Sequence, residues 1–291
     1  MLWLLLGLGA GVLASVLVFN WRERRQLKAL TPARRESAAD QRLEQEESHE
    51  DIDDRWEWGV EMVMRRSTLL DDRQCPARMG NKPSRLVITG NQTATLAVLL
   101  ATRQGGLTVD DHQAVGDQVS QWEASGAIRL PASAVPPFSD LVRRARQAEA
   151  DIADLDGQLI FRLRAEEPAS SETIFACCEQ LGLSQRGEGR FSMLDEDGQI
   201  GFSLLPADQG LMLSFLLDLP RVCDPESWFV EMAETARRLA EALDAEIVDD
   251  RGMVLTEQAM GLIREQVRQR AETLTEAGLR PGGVLARGIF Q

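Results

Sequence analysis

The sequence predicts an α+β protein whose main domain is an antiparallel sheet of the split β-α-β type with its helices on one face. Three observations predict this class. Alternating apolar residues mark short strands after residue 156, amphipathic helices separate them, and the order is strand, helix, hairpin, strand, helix, strand, helix. An apolar N-terminal segment and a small α-rich region are predicted to precede this domain.

Length and charge narrow the range of functions. The chain has 291 residues and a formal net charge of -14, so one or two folded units are expected. A negative surface argues against nucleic acid as a partner, because binding to a phosphate backbone needs a basic surface. Four cysteines and two histidines leave little material for a metal site, and reduced thiols in a cytosolic compartment are expected.

Residues 1–21 are predicted to form a transmembrane helix. Residues 2–19 carry no charged side chain, and a helix of that length spans about 27 Å, close to the thickness of a bilayer's hydrocarbon core. Trp3 and Trp21 stand at its ends, where aromatic rings favour the interface. The positive-inside rule places the remaining chain in the cytoplasm, because the basic residues follow the segment: Arg22, Arg24, Arg25 and Lys28.

A cleaved signal peptide is the alternative interpretation of this segment. Signal peptides carry basic residues before the apolar core, and here they come after it, so a retained anchor is favoured. Gly7 and Gly11 form a G-x-x-x-G pair that would permit weak self-association of the helix. Ordinary glycine tolerance in membrane helices is the favoured explanation of this pair.

Residues 22–58 are predicted to be a charged linker. Its basic beginning suits contact with anionic lipid, and an acidic stretch follows from residue 36. This stretch has few residues that could build a core. His49 lies among its carboxylates, where a solvated tether is favoured over a metal site because no second cluster of ligands is present.

Residues 59–152 are predicted to be a small α-rich region of unknown role. Residues 85–89 have the composition of a short strand, whereas residues 93–102 are predicted to be helical. Another helix is predicted to begin near Phe138. Thr108 is a suitable N-cap residue, and Val115, Val119 and Trp122 follow it with helical spacing.

Residues 153–283 are predicted to form the antiparallel domain, followed by a tail over residues 284–291. Its first helix presents Cys177 and Cys178 to the core as small apolar groups. Residues 195–198 read D-E-D-G and predict a hairpin turn, which is favoured over a calcium loop because the remaining ligands are missing at the required spacing. Suitable N-cap residues for the two later helices are Asp224 and Thr256.

Catalytic motifs are absent from the sequence. It contains no phosphate-binding loop, no G-x-S-x-G elbow, no H-E-x-x-H pair and no kinase signature. Adjacent carboxylates occur at turns and helix starts, where acidic residues are favoured for structural reasons. We therefore expect a protein that is not an enzyme and that has no catalytic residue, metal site or cofactor.

Three segments carry a family resemblance: residues 201–204 (G-F-S-L), 213–220 (L-S-F-L-L-D-L-P) and 246–258 (E-I-V-D-D-R-G-M-V-L-T-E-Q). With the predicted anchor and linker, they resemble the ZipA family, inner-membrane division proteins that tether FtsZ filaments. The resemblance covers roughly residues 156–280. The long linker rich in proline and glutamine that is usual in this family is missing.

The resemblance implies a groove for the FtsZ C-terminal tail on the sheet face opposite the helices. Carried over position by position, it implies six groove residues: Ile160, Phe191, Met193, Leu205, Ala207 and Leu216. Alternation supports Ile160 and Leu216, because their neighbours are predicted to face the helices. Gln158 and Ser214 are expected as polar interruptions on the same face. The alternative is that residues 59–152 cover this face, and an open groove is favoured because exposed apolar patches usually mark interaction sites.

The resemblance implies a single-pass inner-membrane division protein that is located at midcell, binds the FtsZ tail through its cytoplasmic domain and contacts lipid through residues 2–21. Two alternatives stay open. One is a membrane-anchored, ligand-sensing regulatory module, since split β-α-β sheets also bind small molecules. The weaker one is an anchored enzyme whose catalytic residues are scattered along the chain.

Overall fold

The structure is a computed structural model that describes residues 52–65, 75–88, 92–131, 134–187 and 189–291. These residues form two compact units. The first unit lies within Gln41–Asp156 and Thr273–Gln291, and the second comprises Gly157–Glu272. The predicted transmembrane helix and most of the predicted linker fall outside the described residues. Within the described ranges, no helix combines the length and the apolar character that a membrane span requires.

The elements are numbered in chain order. The strands are β1 (Glu57–Met64), β2 (Arg78–Met79), β3 (Lys82–Ile88), β4 (Thr93–Leu99), β5 (Ala101–Thr102), β6 (Gly105–Gly106), β7 (Ile128–Arg129), β8 (Gln158–Ala165), β9 (Ser184–Gln185), β10 (Phe191–Leu194), β11 (Ile200–Ala207), β12 (Met212–Asp218) and β13 (Ala245–Val248). The helices are α1 (Val109–Ala124), α2 (Phe138–Leu155), α3 (Ser171–Gln180), α4 (Pro225–Leu243), α5 (Glu257–Glu276) and α6 (Val284–Ile289).

The first unit is built on an antiparallel sheet. Over the described residues, the strand order is β2-β3-β4-β1-β7, and β5 and β6 pair with each other as a small hairpin. Trp58, Val60 and Met62 alternate along β1 and are almost fully buried. They share one core with Val115 of α1 and Ala145 of α2, so both helices pack on this side of the sheet.

The prediction of a small α-rich region over residues 59–152 is therefore wrong. Residues 93–102, predicted to be helical, form β4 and β5. Strand β4 is buried on both faces, so its apolar residues run continuously instead of alternating. The other local predictions are confirmed, because β3 lies at the predicted strand and α1 and α2 lie at the predicted helices.

The ends of the first unit also differ from the prediction. Trp56 and Trp58, assigned to the linker, are buried in the core, so the fold begins before residue 59. Residues 284–291, predicted to be a tail, contain α6. Ile289 and Phe290 are fully buried in the same core, and Arg103 Nη1 donates a hydrogen bond of 2.7 Å to the Phe290 carbonyl.

The second unit has the predicted architecture of antiparallel sheet and helices. Its strand order is β13-β8-β12-β11-β10-β9, and every neighbouring pair is antiparallel. Helix α3 follows β8, α4 connects β12 to β13, and α5 follows β13. The chain order is thus the predicted one, with the short additional strand β9.

The helices begin where the sequence predicts. Asp224 caps α4, since its carboxylate accepts hydrogen bonds from the Ser227 amide at 3.1 Å and the Ser227 hydroxyl at 2.7 Å. Thr256 Oγ1 accepts from the Ala259 amide at 3.2 Å at the start of α5. These hydrogen bonds satisfy amides that a helix leaves without an internal partner at its first turn.

The core of the second unit lies between one sheet face and its helices. Phe161, Leu163 and Phe215 line this face and pack with Phe229 and Met232 of α4. Cys178 belongs to the same core, as predicted, and burial raises the pKa of its thiol to about 12. Its thiol therefore stays protonated at neutral pH and acts as a small apolar group.

Candidate functional site

The candidate site is the sheet face of the second unit that points away from its helices, which we call the outer face. Residues along a strand alternate between faces, and the odd-numbered residues of β8 and β12 are in the core. The even-numbered residues of these strands therefore belong to the outer face. With their pairing partners on β11, the members are Gln158, Ile160, Arg162, Arg164, Met212, Ser214, Leu216, Asp218, Ser203, Leu205 and Ala207.

Strand register brings four of the six predicted groove residues onto this face. Leu216 pairs with Ile160 on one side and with Ser203 on the other. One step along the strands, Ser214 pairs with Arg162 and Leu205, and Ala207 pairs with Met212 one step further. Neighbours across strands have Cβ atoms about 5 Å apart, so the aliphatic side chains form an apolar patch around Ser214.

Most residues of the outer face have intermediate exposure, whereas Ser203 is buried and its hydroxyl lies 3.1 Å from that of Ser192. Ile160, Leu205 and Leu216 are half-buried, and Ala207 is exposed. Gln158 and Ser214 interrupt the apolar patch, as predicted. A shallow face of this kind can take apolar side chains of a peptide.

Phe191 and Met193 are wrongly assigned to the groove. Phe191 pairs with Leu204, which pairs with Phe215, and all three belong to the core under the helices. Met193 has the same parity as Phe191 and packs against the same core. Both side chains therefore face the helices. The sequence pattern shows only that these two residues share a face, and the register with β11 is needed to say which face.

One apolar residue of the outer face is missing from the sequence prediction. Met212 pairs with Ala207 and Arg164 and is half-buried at the end of the apolar patch. The signal that could have found it is parity, because Met212 lies four residues before Leu216 on a regular strand. The family resemblance did not point to this position.

Polar and charged groups lie along the rim of the patch. Arg164 donates to the Glu246 carboxylate at 2.7 Å and to the Gly252 carbonyl at 3.1 Å. The Gln158 amide donates to the Asp218 carboxylate at 3.4 Å across the paired strands. The rim thus presents both signs of charge, and it can orient a bound segment without adding much affinity.

The turn after β13 explains why its sequence is so distinctive. Asp249 Oδ1 accepts hydrogen bonds from the amides of Arg251 at 2.9 Å and Met253 at 2.8 Å. Leu255 then donates from its amide to the Ile247 carbonyl at 2.8 Å. The V-D-D segment therefore fixes the return of the chain alongside β13 and is a structural element beside the outer face.

Metal binding receives no support at the acidic turn between β10 and β11. Asp195 Oδ1 already accepts hydrogen bonds from the amides of Asp197 at 3.0 Å and Gln199 at 2.7 Å, as a hairpin turn requires. Over the ranges that the structure describes, no group of three or more histidine, cysteine or acidic residues could hold a metal ion.

Comparison with known proteins finds one family match, and it lies within the second unit. Residues 158–266 match the family model described as ZipA, C-terminal FtsZ-binding domain. No curated protein matches the chain. The matched residues begin with β8 and end within α5, so they contain the whole outer face. Within the second unit, residues 158–266 are therefore similar to the C-terminal, FtsZ-binding domain of ZipA.

Proposed function

We propose that this chain is a non-enzymatic, bitopic inner-membrane protein of cell division. Its second unit binds the FtsZ C-terminal tail on the outer face, and residues 1–21 hold the protein in the membrane, so the division ring is tethered to the cytoplasmic side. The observation that carries this proposal is the match of residues 158–266 to an FtsZ-binding domain family, together with the aliphatic patch that these strands present on the outer face.

The size of the patch suits a weak individual site. About 400 Å² of apolar area corresponds to at most about 10 kcal/mol of gross transfer free energy. Ordering a flexible tail and losing its free motion offset much of this gain. Micromolar affinity, about -8 kcal/mol, is the expected range. A filament that presents many tails to many anchored receptors would still be held firmly through avidity.

A peptide-binding experiment tests the outer face directly. We expect an FtsZ tail peptide with a fluorescent label to bind the wild-type protein, and Leu216→Asp to weaken binding at least tenfold, because a carboxylate would be desolvated beneath an apolar peptide. Leu262→Asp is the matched control, since Leu262 lies on α5 and is 63% exposed. Equal binding by wild type and Leu216→Asp would show that the tail does not use this face.

The membrane part of the proposal needs a separate test. We expect the full chain to sediment with inner membranes after a high-salt wash, and a variant that lacks residues 1–21 to stay in the supernatant. A fluorescent protein inserted into the acidic part of the linker should concentrate at midcell in dividing cells. An even distribution round the envelope would argue against a role in the division ring.

A further inference from the structure

The two units share one strand order. In the second unit the order is β13-β8-β12-β11-β10, followed by the short edge strand β9. Reading the first unit from β7 gives β7-β1-β4-β3-β2. In each unit the first strand pairs antiparallel with the second strand of a hairpin, a helix follows that hairpin, and the next strand pairs antiparallel with the free side of the first. A long helix then follows that strand in each unit, α2 in the first and α5 in the second.

The register agrees residue by residue. Strands β1 and β8 both have eight residues, and β4 and β12 both have seven. Superposing β1 on β8 places Met64 at Ala165, and these residues pair with Ile128 of β7 and Ala245 of β13 respectively. The central core row Val60, Leu96 and Leu86 then falls on Phe161, Phe215 and Leu204.

This superposition identifies the counterpart of the outer face. Gly59, paired with Ala97, takes the place of Ile160, paired with Leu216. Thr95 and Val87 take the places of Ser214 and Leu205. The first unit thus has glycine and alanine where the second unit has isoleucine and leucine. Ala97, Thr95 and Val87 are nonetheless buried, so other atoms cover them.

Part of this cover comes from the same unit. A Cβ added to Gly59 would lie 3.0 Å from Thr95 Cγ2 and 3.3 Å from Ile52 Cδ1, so the side chains of Thr95 and Ile52 both border the position of the missing side chain. Arg85 on β3 and Glu57 on β1 form a two-pronged ion pair with distances of 2.8 and 2.9 Å. Strand β4 runs between β3 and β1, so this ion pair spans the strand on the side of Ala97.

The C-terminal helix completes the cover. A Cβ added to Gly288 of α6 would lie 3.3 Å from Leu99 Cδ1 and 3.8 Å from Pro83 Cβ. Leu99 pairs with Glu57, so it occupies the place that Asp218 has in the second unit. Two chain segments, one before β1 and one after α5, therefore close the counterpart face at its middle and at one end.

We infer that the first unit repeats the strand framework of the second and that the chain's own residues occupy its counterpart of the outer face. Ile52 fills the volume that Ile160 fills with its own side chain in the second unit. The protein therefore offers one open face for a peptide, not two, and the first unit serves as a closed structural copy. The part of the inference that counts bound tails rests on the proposed function.

A thermodynamic cycle tests the occupied face without any partner. In a Thr95→Ser background, which copies Ser214, Gly59→Ile should lower the folding equilibrium constant at least tenfold because its side chain meets Ile52. With Ile52→Ala added, the same change should cost less than threefold. Gly116→Ile is the control, since no atom lies within 4 Å of a Cβ at Gly116, and its effect should not depend on Ile52. Equal effects of Gly59→Ile with and without Ile52 would overturn the inference.

A titration of the full chain with the FtsZ tail peptide provides the second test and applies even if a cycle variant fails to fold. We expect one peptide per chain, and binding by Leu216→Asp that is at least tenfold weaker. Two equivalent sites would overturn the inference, because the counterpart face would then be open. Absence of any binding would refute the proposed function alone, and the cycle would still decide whether Ile52 occupies the first unit's face.

Discussion

The two units have the same strand order, but they differ in how far the corresponding sheet face is covered. In the first unit this face has Gly59 and Ala97 at its centre and is closed by Ile52, an ion pair and α6. In the second unit Ile160 and Leu216 stand at the same places and are half-buried. Strand topology alone therefore does not decide whether such a sheet face is covered. Side-chain size and the path of the flanking chain decide it.

Breaking the ion pair on each face should give the largest difference in the free energy of unfolding. Glu57 is only 2% exposed beside Arg85, whereas Arg164 and Glu246 are 46% and 56% exposed. Arg85→Gln should destabilise the protein by about 3 kcal/mol, because it leaves a buried carboxylate without its cation. Arg164→Gln should cost less than about 0.5 kcal/mol. Urea unfolding of both variants measures the difference, and equal losses would contradict the contrast between a closed and an open face.

Exchanging side-chain sizes between the faces should have the next largest effect. Ala97→Leu copies Leu216 into the closed face, where the side chain is fully buried, and should cost about 2 kcal/mol by overpacking. The reverse change, Leu216→Ala, should cost less than about 1 kcal/mol because Leu216 is only half-buried. Thermal unfolding of the two variants provides the measurement. A larger loss for Leu216→Ala would mean that the outer face of the second unit is closed as well.

The smallest effect concerns the helix that follows the central hairpin in each unit. Hydrogen bonds from the Ser227 hydroxyl and amide lower the pKa of Asp224 below its usual value of 3.8. A carboxylate whose pKa is lower in the folded state stabilises the fold at pH values above its unfolded-state pKa. This contribution is lost as the pH falls through its folded-state pKa. Asp224→Ala should therefore cost about 1 kcal/mol at pH 7 and less near pH 2.

The matched change in the first unit is Thr108→Ala, which removes the N-cap side chain of α1. The Thr108 hydroxyl does not titrate, but it donates a hydrogen bond of 2.7 Å to the Asp111 carboxylate and helps to lower the pKa of that group. Part of the cost of Thr108→Ala should therefore also be lost in acid, while the part due to the amide that Thr108 caps should remain. Unfolding curves of both variants at both pH values measure these contributions. A cost of Asp224→Ala that stays constant from pH 7 to pH 2 would show that the carboxylate charge does not stabilise α4.

The second unit could be predicted from the sequence largely because its strands have one buried face. Alternation at residues 159–163 and the caps at Asp224 and Thr256 report on local structure, and the structure agrees with them. In the first unit β4 is buried on both faces, so periodicity does not distinguish it from a helix. The shared topology of the units depends on pairings between distant strands, which neither composition nor local pattern contains.

The site could be predicted in part for the same reason. Ile160 and Leu216 lie on strands whose core-facing neighbours are recognisable, so their own direction follows from alternation. Phe191 and Met193 lie on β10, a strand of four residues with a register shift after Met193. On so short a strand, the sequence pattern does not show which sheet face a large apolar side chain belongs to. Only its pairing with Leu204 fixes the orientation of Phe191.

The return of residues 273–291 to the first unit has a practical consequence. A truncation after residue 272 would keep all residues of the family match but remove Leu274, Leu279, Ile289 and Phe290 from the other unit's core. Such a deletion would lower the amount of folded protein in cells, and this loss would resemble a defect in the binding proposed for the second unit. Tags joined at Gln291 act on the same buried end, since Ile289 and Phe290 precede them directly. Reporter fusions are therefore better placed in the acidic segment ahead of Ile52.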